Sequence, residues 1–314
     1  MAQRAVVLLN LGGPATLEAV RPFLVNLFSD RDIIRLPGPA FLQPLLARLI
    51  AKARAPKVAP HYAAIGGGSP LLAHTRAQAK ALEARLSLPC LVGMRYSPPW
   101  VADALRQALE EGAREVVALP LFPHYSRATT GSVLAELERA NRRLKAPVSI
   151  KRVESFPDHP GYLAALAETV QEALAQFSEA ERPKVRLIFS AHALPVSFIR
   201  AGDPYVAQLE RTIGGLEKLT PLPKWYLTYQ SRSGPVRWLE PETQMMLTKL
   251  LAEGFHHLIM VPISFVSEHL ETLYEMDMLY AGQAKAAGAK FVRAPAVGVR
   301  AGFIAALAEL VQGV

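Results

Sequence analysis

Short apolar runs that end abruptly in proline, glycine or small polar residues constrain the fold of this chain most strongly. Within these runs polar and apolar residues do not alternate, which is typical of parallel strands buried on both faces. The four longest are Ala5–Leu11, Glu115–Leu121, Val185–Ser190 and His257–Val266. Shorter candidates are Cys90–Arg95, Val148–Ser155, Trp225–Tyr229 and Lys290–Val292. The sequence therefore predicts parallel β-structure.

Segments with apolar residues at three/four spacing lie between these strands and predict amphipathic helices. They are Ala73–Ala84, Trp100–Glu111, Val133–Leu144, Pro160–Phe177, Pro241–Glu253 and Leu270–Ala287. A strand-helix alternation of this kind is the pattern of a parallel-sheet α/β protein.

The pattern runs twice along the chain. LLNLGGP (8–14) opens one half and LIFSAHALP (187–195) opens the other, while VALPLFPHYS (117–126) and IMVPISFVSEH (259–269) lie late in their halves. Two similar α/β domains are the economical interpretation, with coincidence among α/β units as the alternative. We place the domains at 1–155 and 156–300, followed by a terminal helix at 301–314 that packs back on the first domain. Ligands are expected at the carboxyl ends of the strands.

Residues 23–54 break this pattern with a crowd of large apolar side chains, followed closely by basic residues at Arg48, Lys52, Arg54 and Lys57. Two interpretations stay open. The segment forms two ordinary core helices, or it forms an exposed apolar lip with a basic fringe that contacts a membrane or an apolar ligand.

Composition narrows the function classes. A single cysteine, Cys90, excludes an internal disulfide, an all-cysteine metal site and a four-cysteine iron–sulfur cluster within one chain. The net charge of +8 suits an acidic small molecule, nucleic acid or an anionic membrane surface, and nucleic acid is the weakest because basic runs with interleaved aromatics are missing. The N-terminal sequence lacks the signal-peptide pattern, and no apolar window is long enough to span a bilayer, so we expect a cytoplasmic protein.

The common nucleotide-binding, zincin and hydrolase motifs are missing from the sequence. A glycine run at Gly66–Gly68 lets backbone pass close to a planar ligand, or is a mere hinge.

The densest acidic feature is SEHLETLYEMD (267–277). At 100° per residue of an α-helix, Glu268, Glu271 and Glu275 would line one stripe. The stripe is either a solvated face or a row of oxygens that passes a divalent cation or accepts protons. His192 follows a buried strand and is either a core residue or a base or metal ligand. Histidine and carboxylates at strand ends, without cysteine, suit a transient Fe(II)-like ion.

Further polar and aromatic residues follow the other strands. They are Asn10, Arg95, Tyr96, His124, Tyr125, Ser126, Tyr229, Gln230, Ser231, Arg232 and Trp238. Arg95, Ser231 and Arg232 have the chemistry to hold carboxylates of a ligand.

At this level of detail the sequence resembles the ferrochelatases, enzymes that insert ferrous iron into a porphyrin. The matching segments are LLNLGGP (8–14), YAAIGGGSPL (62–71), MRYSPP (94–99), LFPHYSRATTGS (121–132), FSAHALP (189–195), GDPY (202–205), YQSRSGPVRWLEP (229–241) and VPISFVSEHLETLYEMD (261–277). The resemblance implies two Rossmann-like domains, each with a parallel four-stranded sheet flanked by helices, and a porphyrin cleft between them.

By the same resemblance, His192 corresponds to the metal-site histidine and Glu271 to the catalytic glutamate. Glu268 and Glu275 would then relay protons or metal, and His269 matches an adjacent family histidine. The expected porphyrin contacts are Asn10, Leu11, Arg95, Tyr96, Tyr125, Ser231, Arg232 and Trp238. Residues 23–54 match the segment that frames the porphyrin mouth and touches membrane.

Some positions depart from the family pattern. Ala63–Ala64 stand where other members have two arginines, Leu279 interrupts an acidic row, and Leu11 replaces a tyrosine of the coproporphyrin-using branch. The expected reaction is therefore insertion of Fe(II) into protoporphyrin IX to give protohaem with release of two protons. Iron is a substrate here, with no permanently bound cofactor and no iron–sulfur cluster. Coproporphyrin III or another tetrapyrrole, Co(II) or Ni(II), and a non-catalytic haem carrier are the alternatives. Partners beyond the substrates are limited to a peripheral membrane contact, without nucleic acid.

Overall fold

In the computed structural model, which describes residues 3–314, the chain divides into two compact units. The first comprises the residues up to Ser155 together with Ile304–Val314, and the second is Phe156–Phe303. The last helix, Ala301–Gln312, therefore begins in the second unit and runs into the first.

The first unit is built on a parallel sheet in the order β2-β1-β3-β4. Its strands are β1 (Arg4–Asn10), β2 (Cys90–Met94), β3 (Glu115–Pro120) and β4 (Ser149–Arg152). From Ala5 to Leu9, β1 is completely buried, which is why its sequence is continuously apolar.

Helices surround this sheet. They are α1 (Val20–Ser29), α2 (Gln43–Ala64), α3 (Leu71–Leu86), α4 (Val101–Glu110) and α5 (Ser132–Arg142). Leu105 on α4 and Leu137 on α5 pack in the same apolar core as Val7 and Leu9 of β1, so burial on the sheet fixes these two helices.

The second unit repeats the strand order as β6-β5-β7-β8, again entirely parallel. The strands are β5 (Arg186–His192), β6 (Lys224–Gln230), β7 (His257–Val261) and β8 (Lys290–Arg293). Its helices are α6 (Pro160–Leu174), α7 (Val196–Arg200), α8 (Tyr205–Leu219), α9 (Thr243–Ala252) and α10 (Ala281–Ala286), and the helix shared with the first unit is α11 (Ala301–Gln312).

The predicted α/β class with two parallel four-stranded sheets is confirmed among the described residues. Several local predictions were wrong, among them the strand proposed for Val148–Ser155, of which only Ser149–Arg152 is a strand. The strand proposed for His257–Val266 ends at Val261, since Pro262 cannot continue the ladder. The strand proposed for Val185–Ser190 extends to His192, which is therefore its last residue. The helix proposed for Leu270–Ala287 is a π-helix over Glu271–Tyr280 before it becomes α10.

Residues 23–54 form parts of α1 and α2 joined by a loop with a short 3₁₀ turn, Ala40–Leu42. Ala47 and Ala51 of α2 are buried. In contrast, Phe41, Leu45 and Leu49 are 78%, 53% and 57% exposed. The segment is thus helical, as the first interpretation requires, and carries an exposed apolar row, as the second requires. Of the helices in residues 3–314, none combines the length and apolarity needed to cross a bilayer.

The glycine run Gly66–Gly68 packs against the segment that follows β1, at the Gly-Gly-Pro turn of residues 12–14. A Cβ on Gly68 would lie 2.2 Å from the carbonyl oxygen of Ala15, and the N–H of Ser69 donates to the carbonyl oxygen of Pro14 at 2.7 Å. Gly68 is therefore required by a close approach between two loops of the first unit.

Candidate active site

His192 ends β5 at the carboxyl edge of the second sheet, opposite Gln230 of β6 in the parallel register. Its backbone is held on both sides, since its N–H donates to Ser264 Oγ at 3.0 Å and its carbonyl accepts from Tyr205 Oη at 3.1 Å. The imidazole lies edge-to-face with Phe265, with ring centroids 6.4 Å apart. Burial lowers the pKa of His192, and the charge of Glu271 opposes this only in part. A lowered pKa favours the neutral imidazole, which is the form that accepts a proton or ligates a metal.

Glu271 is the first residue of the π-helix that follows β7. Its Oε2 lies 3.0 Å from Nδ1 of His269, and the His269 ring stacks edge-to-face on Phe265 with centroids 4.3 Å apart. Burial alone would raise the pKa of Glu271, but His269 and His192 outweigh it and hold the pKa below its ordinary value. The carboxyl group of Glu271 and the imidazole of His192 therefore influence one another's protonation at this edge of the sheet.

Glu275 lies four residues further along the π-helix, in a different electrostatic environment. Its carboxylate accepts hydrogen bonds from Ser231 Oγ at 2.8 and 2.9 Å and from Gln230 Nε2 at 3.2 Å. Burial and the neighbouring charge of Glu271 nevertheless raise the pKa of Glu275 to about 7. Two carboxyl groups in one helix thus have pKa values displaced in opposite directions, a feature of acid–base sites.

The prediction that Glu268 shares a helical stripe with Glu271 and Glu275 is wrong. Glu268 precedes the helix and lies in the loop after β7. Its Oε1 accepts from Arg293 Nη1 at 2.9 Å and from the backbone N–H of Ala296 at 3.0 Å. The same guanidinium also pairs with Asp277, so Arg293 holds the loop and the π-helix together.

The loop after β6 carries the three porphyrin-contact residues predicted for the second unit. Ser231 adopts a left-handed backbone conformation with φ of 64°. Its hydroxyl donates to Glu275 and is not free for a ligand carboxylate. Arg232 pairs with Glu242 at 3.3 Å and donates to the carbonyl oxygen of Leu239 at 2.6 Å. Trp238 is half-buried, and its indole N–H donates to Gly234 at 3.4 Å.

In the first unit the predicted residues meet at the carboxyl edge of the sheet. The backbone N–H groups of Arg95 and Tyr96 donate to the carbonyls of Asn10 and Leu11, both at 2.9 Å. Tyr125 follows β3 and precedes a short π-helical segment, Arg127–Gly131. Asn10 is buried and donates to Thr75 at 3.3 Å, while Leu11 packs against the apolar core.

The side chains of Arg95 and Tyr96 point into an internal polar cluster. Arg95 pairs with Asp30 at 2.9 Å and with Glu136 at 3.4 Å, and Tyr96 Oη donates to Asp30 at 2.6 Å. Burial would raise the pKa of Asp30, but hydrogen bonds from Ser132 and Tyr96 and the charge of Arg95 together hold it below its ordinary value. These partners already occupy the Arg95 guanidinium.

Sequence reasoning missed Asp30, Arg293 and the role of Gln230. Asp30 follows α1 in a segment treated only as apolar, so nothing local indicated a buried carboxylate. Arg293 ends β8, and the rule that places ligands at strand ends would have included it.

Side chains of histidine, cysteine, aspartate and glutamate form no metal-holding group of three or more anywhere in residues 3–314.

Comparison with known proteins shows which family the chain matches. A family model described as Ferrochelatase matches residues 3–313. The chain is 51% identical to the ferrochelatase of Geotalea uraniireducens, over 98% of this chain and 97% of that protein. It is also 45% identical to the ferrochelatase of Aquifex aeolicus, over 99% of each chain.

Solved structures share the fold at low identity. SirB from Bacillus subtilis with Fe3+ superposes with a TM-score of 0.60 at 12% identity, covering 99% of this chain and 95% of that one. A sirohydrochlorin chelatase SirB in complex with cobalt gives a TM-score of 0.58 at the same identity, covering 99% and 94%.

Proposed function

The chain belongs to the ferrochelatase family and is a porphyrin metal chelatase, a lyase, and from this premise we propose that it inserts Fe(II) into protoporphyrin IX to give protohaem. Two pyrrole N–H bonds break, four iron–nitrogen bonds form, and two protons pass to acceptors. Iron is a substrate that arrives as a separate Fe(II) ion and leaves inside the metalated porphyrin, so the site needs only transient ligands, such as an imidazole and a carboxylate.

His192 and Glu271 are assigned to the reacting centre. The arrangement of a half-buried imidazole beside a carboxylate, both at the carboxyl edge of the second sheet, supports this assignment. Either group has the chemistry to take a pyrrole proton or to present iron. Glu275, four residues further along the same helix, is assigned to relaying protons away from Glu271.

The choice of protoporphyrin IX rests on two observations, the ion pairs that already engage Arg95 and Arg232 and the apolar residue at Leu11. Arg95 pairs with Asp30 and Glu136, and Arg232 pairs with Glu242. Coproporphyrin III carries four carboxylates and protoporphyrin IX carries two, with vinyl groups in place of the others. The pairing of these two arginines and the apolar side chain at Leu11 favour the substrate with fewer charges.

The test is an anaerobic assay of Fe(II) insertion into each porphyrin, followed by the change in absorption spectrum. We expect kcat/KM for protoporphyrin IX to exceed that for coproporphyrin III by at least tenfold. The Leu11→Tyr variant should reduce that ratio, and Leu11→Ile is the matched apolar control. A wild-type ratio of one or below would assign the chain to coproporphyrin III.

Co(II) is a second metal to assay, because a structural neighbour was solved in complex with cobalt. Competition between Fe(II) and Co(II) at equal concentration gives the metal preference directly. A haem carrier without catalysis would leave the metalation rate of free porphyrin unchanged, and the family assignment argues against it.

We place the protein in the cytoplasm with a peripheral contact to the inner membrane face. The support is the exposed row of Phe41, Leu45 and Leu49 beside the exposed cations Arg48 and Lys52. Apolar side chains with a basic fringe bind the interface of anionic lipid.

A further inference from the structure

Gln230 connects the second sheet to the π-helix. It is the last residue of β6, the register partner of His192, and completely buried. Its Nε2 donates to the backbone carbonyl of Glu271 at 3.1 Å and to Glu275 Oε2 at 3.2 Å. One amide group therefore contacts both of the π-helical acids that the proposed mechanism uses.

The orientation of this amide is determined by its partners. Both groups beside Nε2 are acceptors, so the nitrogen must face them. On the other side, Oε1 accepts from Ser190 Oγ, and that hydroxyl lies 2.9 Å from Thr243 Oγ1. Thr243 is in turn 2.9 Å from Thr228 Oγ1, so a buried chain of hydroxyls fixes the amide from behind.

The Glu271 carbonyl belongs to the first turn of the π-helix. A carbonyl oxygen has two lone pairs, so it can accept the Gln230 amide as well as a backbone N–H further along the helix. The hydrogen bond from Gln230 therefore ties the start of the helix to the strand beside His192.

We propose that Gln230 is a positioning residue for metal insertion, which sets Glu271 and Glu275 at a fixed distance from His192 through its single amide. It acts through these carboxylates and does not contact the porphyrin. The proposal rests on the metal chelatase activity and on the assignment of Glu271 and Glu275 to it.

The test compares Gln230→Met, Gln230→Glu and Thr169→Val. Methionine keeps the size and removes the donor, so we expect kcat to fall at least tenfold while the porphyrin KM stays within twofold. Glutamate keeps the size and the acceptor for Ser190 but presents a carboxylate to Glu275, so it should be more harmful than methionine. Thr169→Val removes a buried hydroxyl of α6 that donates to the carbonyl oxygen of Leu166 and lies outside this chain of hydroxyls, so its kcat should stay within threefold.

A double-mutant cycle separates positioning from general packing. In a Glu275→Leu background, Gln230→Met should lower kcat by less than threefold, because one of the two groups it acts through is already gone. If Gln230→Met does not fold by near-ultraviolet circular dichroism, Ser190→Ala carries the test, with kcat expected to fall at least threefold because the amide is no longer fixed from behind.

Three results would overturn the proposal: a folded Gln230→Met enzyme with kcat within twofold of wild type, a Gln230→Glu enzyme as active as wild type, or full additivity in the cycle. A wild-type chain that metalates no porphyrin would instead remove the proposed function, and the two failures are thus distinguished.

Discussion

The two units have the same strand order and different chemistry. β1 and β5 each run for seven residues and take the same place in their sheets, and each third strand leads through a loop into a π-helical segment. Yet β1 ends at Asn10 opposite the apolar Met94, whereas β5 ends at His192 opposite Gln230. The common topology supports the doubled pattern seen in the sequence, with matching sites at the sheet edges.

The polar residues at these edges are used differently. In the first unit, Asp30, Arg95 and Tyr96 satisfy one another inside the unit, and Asn10 bonds to Thr75. In the second unit, Glu271 and Glu275 have pKa values displaced in opposite directions. The topology thus determines where polar residues gather at a sheet edge. Whether these residues stabilise the fold or carry out chemistry depends on how fully their charges and hydrogen bonds are satisfied by neighbouring residues.

The largest expected effect comes from replacing, by alanine, the last residue of β5 and the equivalent last residue of β1. His192→Ala should lower kcat by about 10³–10⁴-fold, because it removes a proton acceptor or metal ligand from the proposed centre. Asn10→Ala removes a buried side chain whose hydrogen bonds stay inside the first unit, so kcat should fall by less than tenfold. Initial rates of anaerobic Fe(II) insertion check both variants. Equal losses in the two would mean that the units share the chemistry.

The next effect separates two acids of the second unit. Glu271→Gln should lower kcat by about 10³-fold at unchanged porphyrin binding, because the carboxylate beside His269 is lost. Glu268→Gln should lower kcat by less than tenfold, since Glu268 bonds to Arg293 and Ala296 and its role is to hold the loop. Fluorescence titration with porphyrin separates binding from turnover. A loss for Glu268→Gln as large as that for Glu271→Gln would restore Glu268 to the relay predicted from the sequence.

The third effect concerns stability, and it belongs to the first unit. Asp30→Asn should lower the free energy of unfolding at pH 7 by about 3 kcal/mol, because it leaves the buried Arg95 with a weaker partner. The folded pKa of Asp30 is depressed, so its contribution is complete above the unfolded pKa of about 3.9 and is lost as pH falls through the folded value. The wild type should therefore approach the variant in acid.

Urea unfolding checks this, with Trp100 as the reporter of the first unit in a chain where Trp225 and Trp238 are replaced by phenylalanine. A difference between wild type and Asp30→Asn that stays constant from pH 7 down to acid would show that ionisation of Asp30 carries none of it. Glu136→Gln, which removes the more distant partner of Arg95, is the matched control and should cost less than 1.5 kcal/mol.

The sequence predicted the fold best where burial determines the pattern of polar and apolar residues. The strands could be predicted because a strand buried on both faces must be apolar throughout, as β1 is from Ala5 to Leu9. The helix α8 was missed because Gly214 and Gly215 lower its helix propensity. Gly215 is there for packing, since a Cβ would lie 2.5 Å from a methyl carbon of Leu163 on α6.

The site was predictable in its strand ends and not in its partners. His192 ends β5 and Ser231 directly follows β6, as the strand-end rule expects, whereas Glu271 begins the helix that follows β7 after a loop. The predicted stripe was wrong because it requires Glu268 to lie on the same α-helix as Glu271 and Glu275. The helix is a π-helix that begins at Glu271, and local sequence does not show where a π-helix begins. The pairing of Arg95 with Asp30 joins residues 65 positions apart, so only the folded unit brings them together.

The smallest expected effect concerns the exposed apolar row of the first unit. Exposed apolar residues of the second unit provide the control. Replacing Phe41, Leu45 and Leu49 by serine should weaken binding to vesicles containing anionic phosphatidylglycerol by at least tenfold, because apolar area near Arg48 and Lys52 is lost. Leu219 and Val236 of the second unit are 55% and 52% exposed, and replacing them by serine should leave binding within twofold. Vesicle sedimentation at low and high salt measures both, while unfolding stability should change by less than about 1 kcal/mol in either variant, since these side chains bury little area. Wild-type protein that stays in the supernatant with anionic vesicles, or a triple variant that binds as well as wild type, would assign the row to contact within the protein or with the porphyrin.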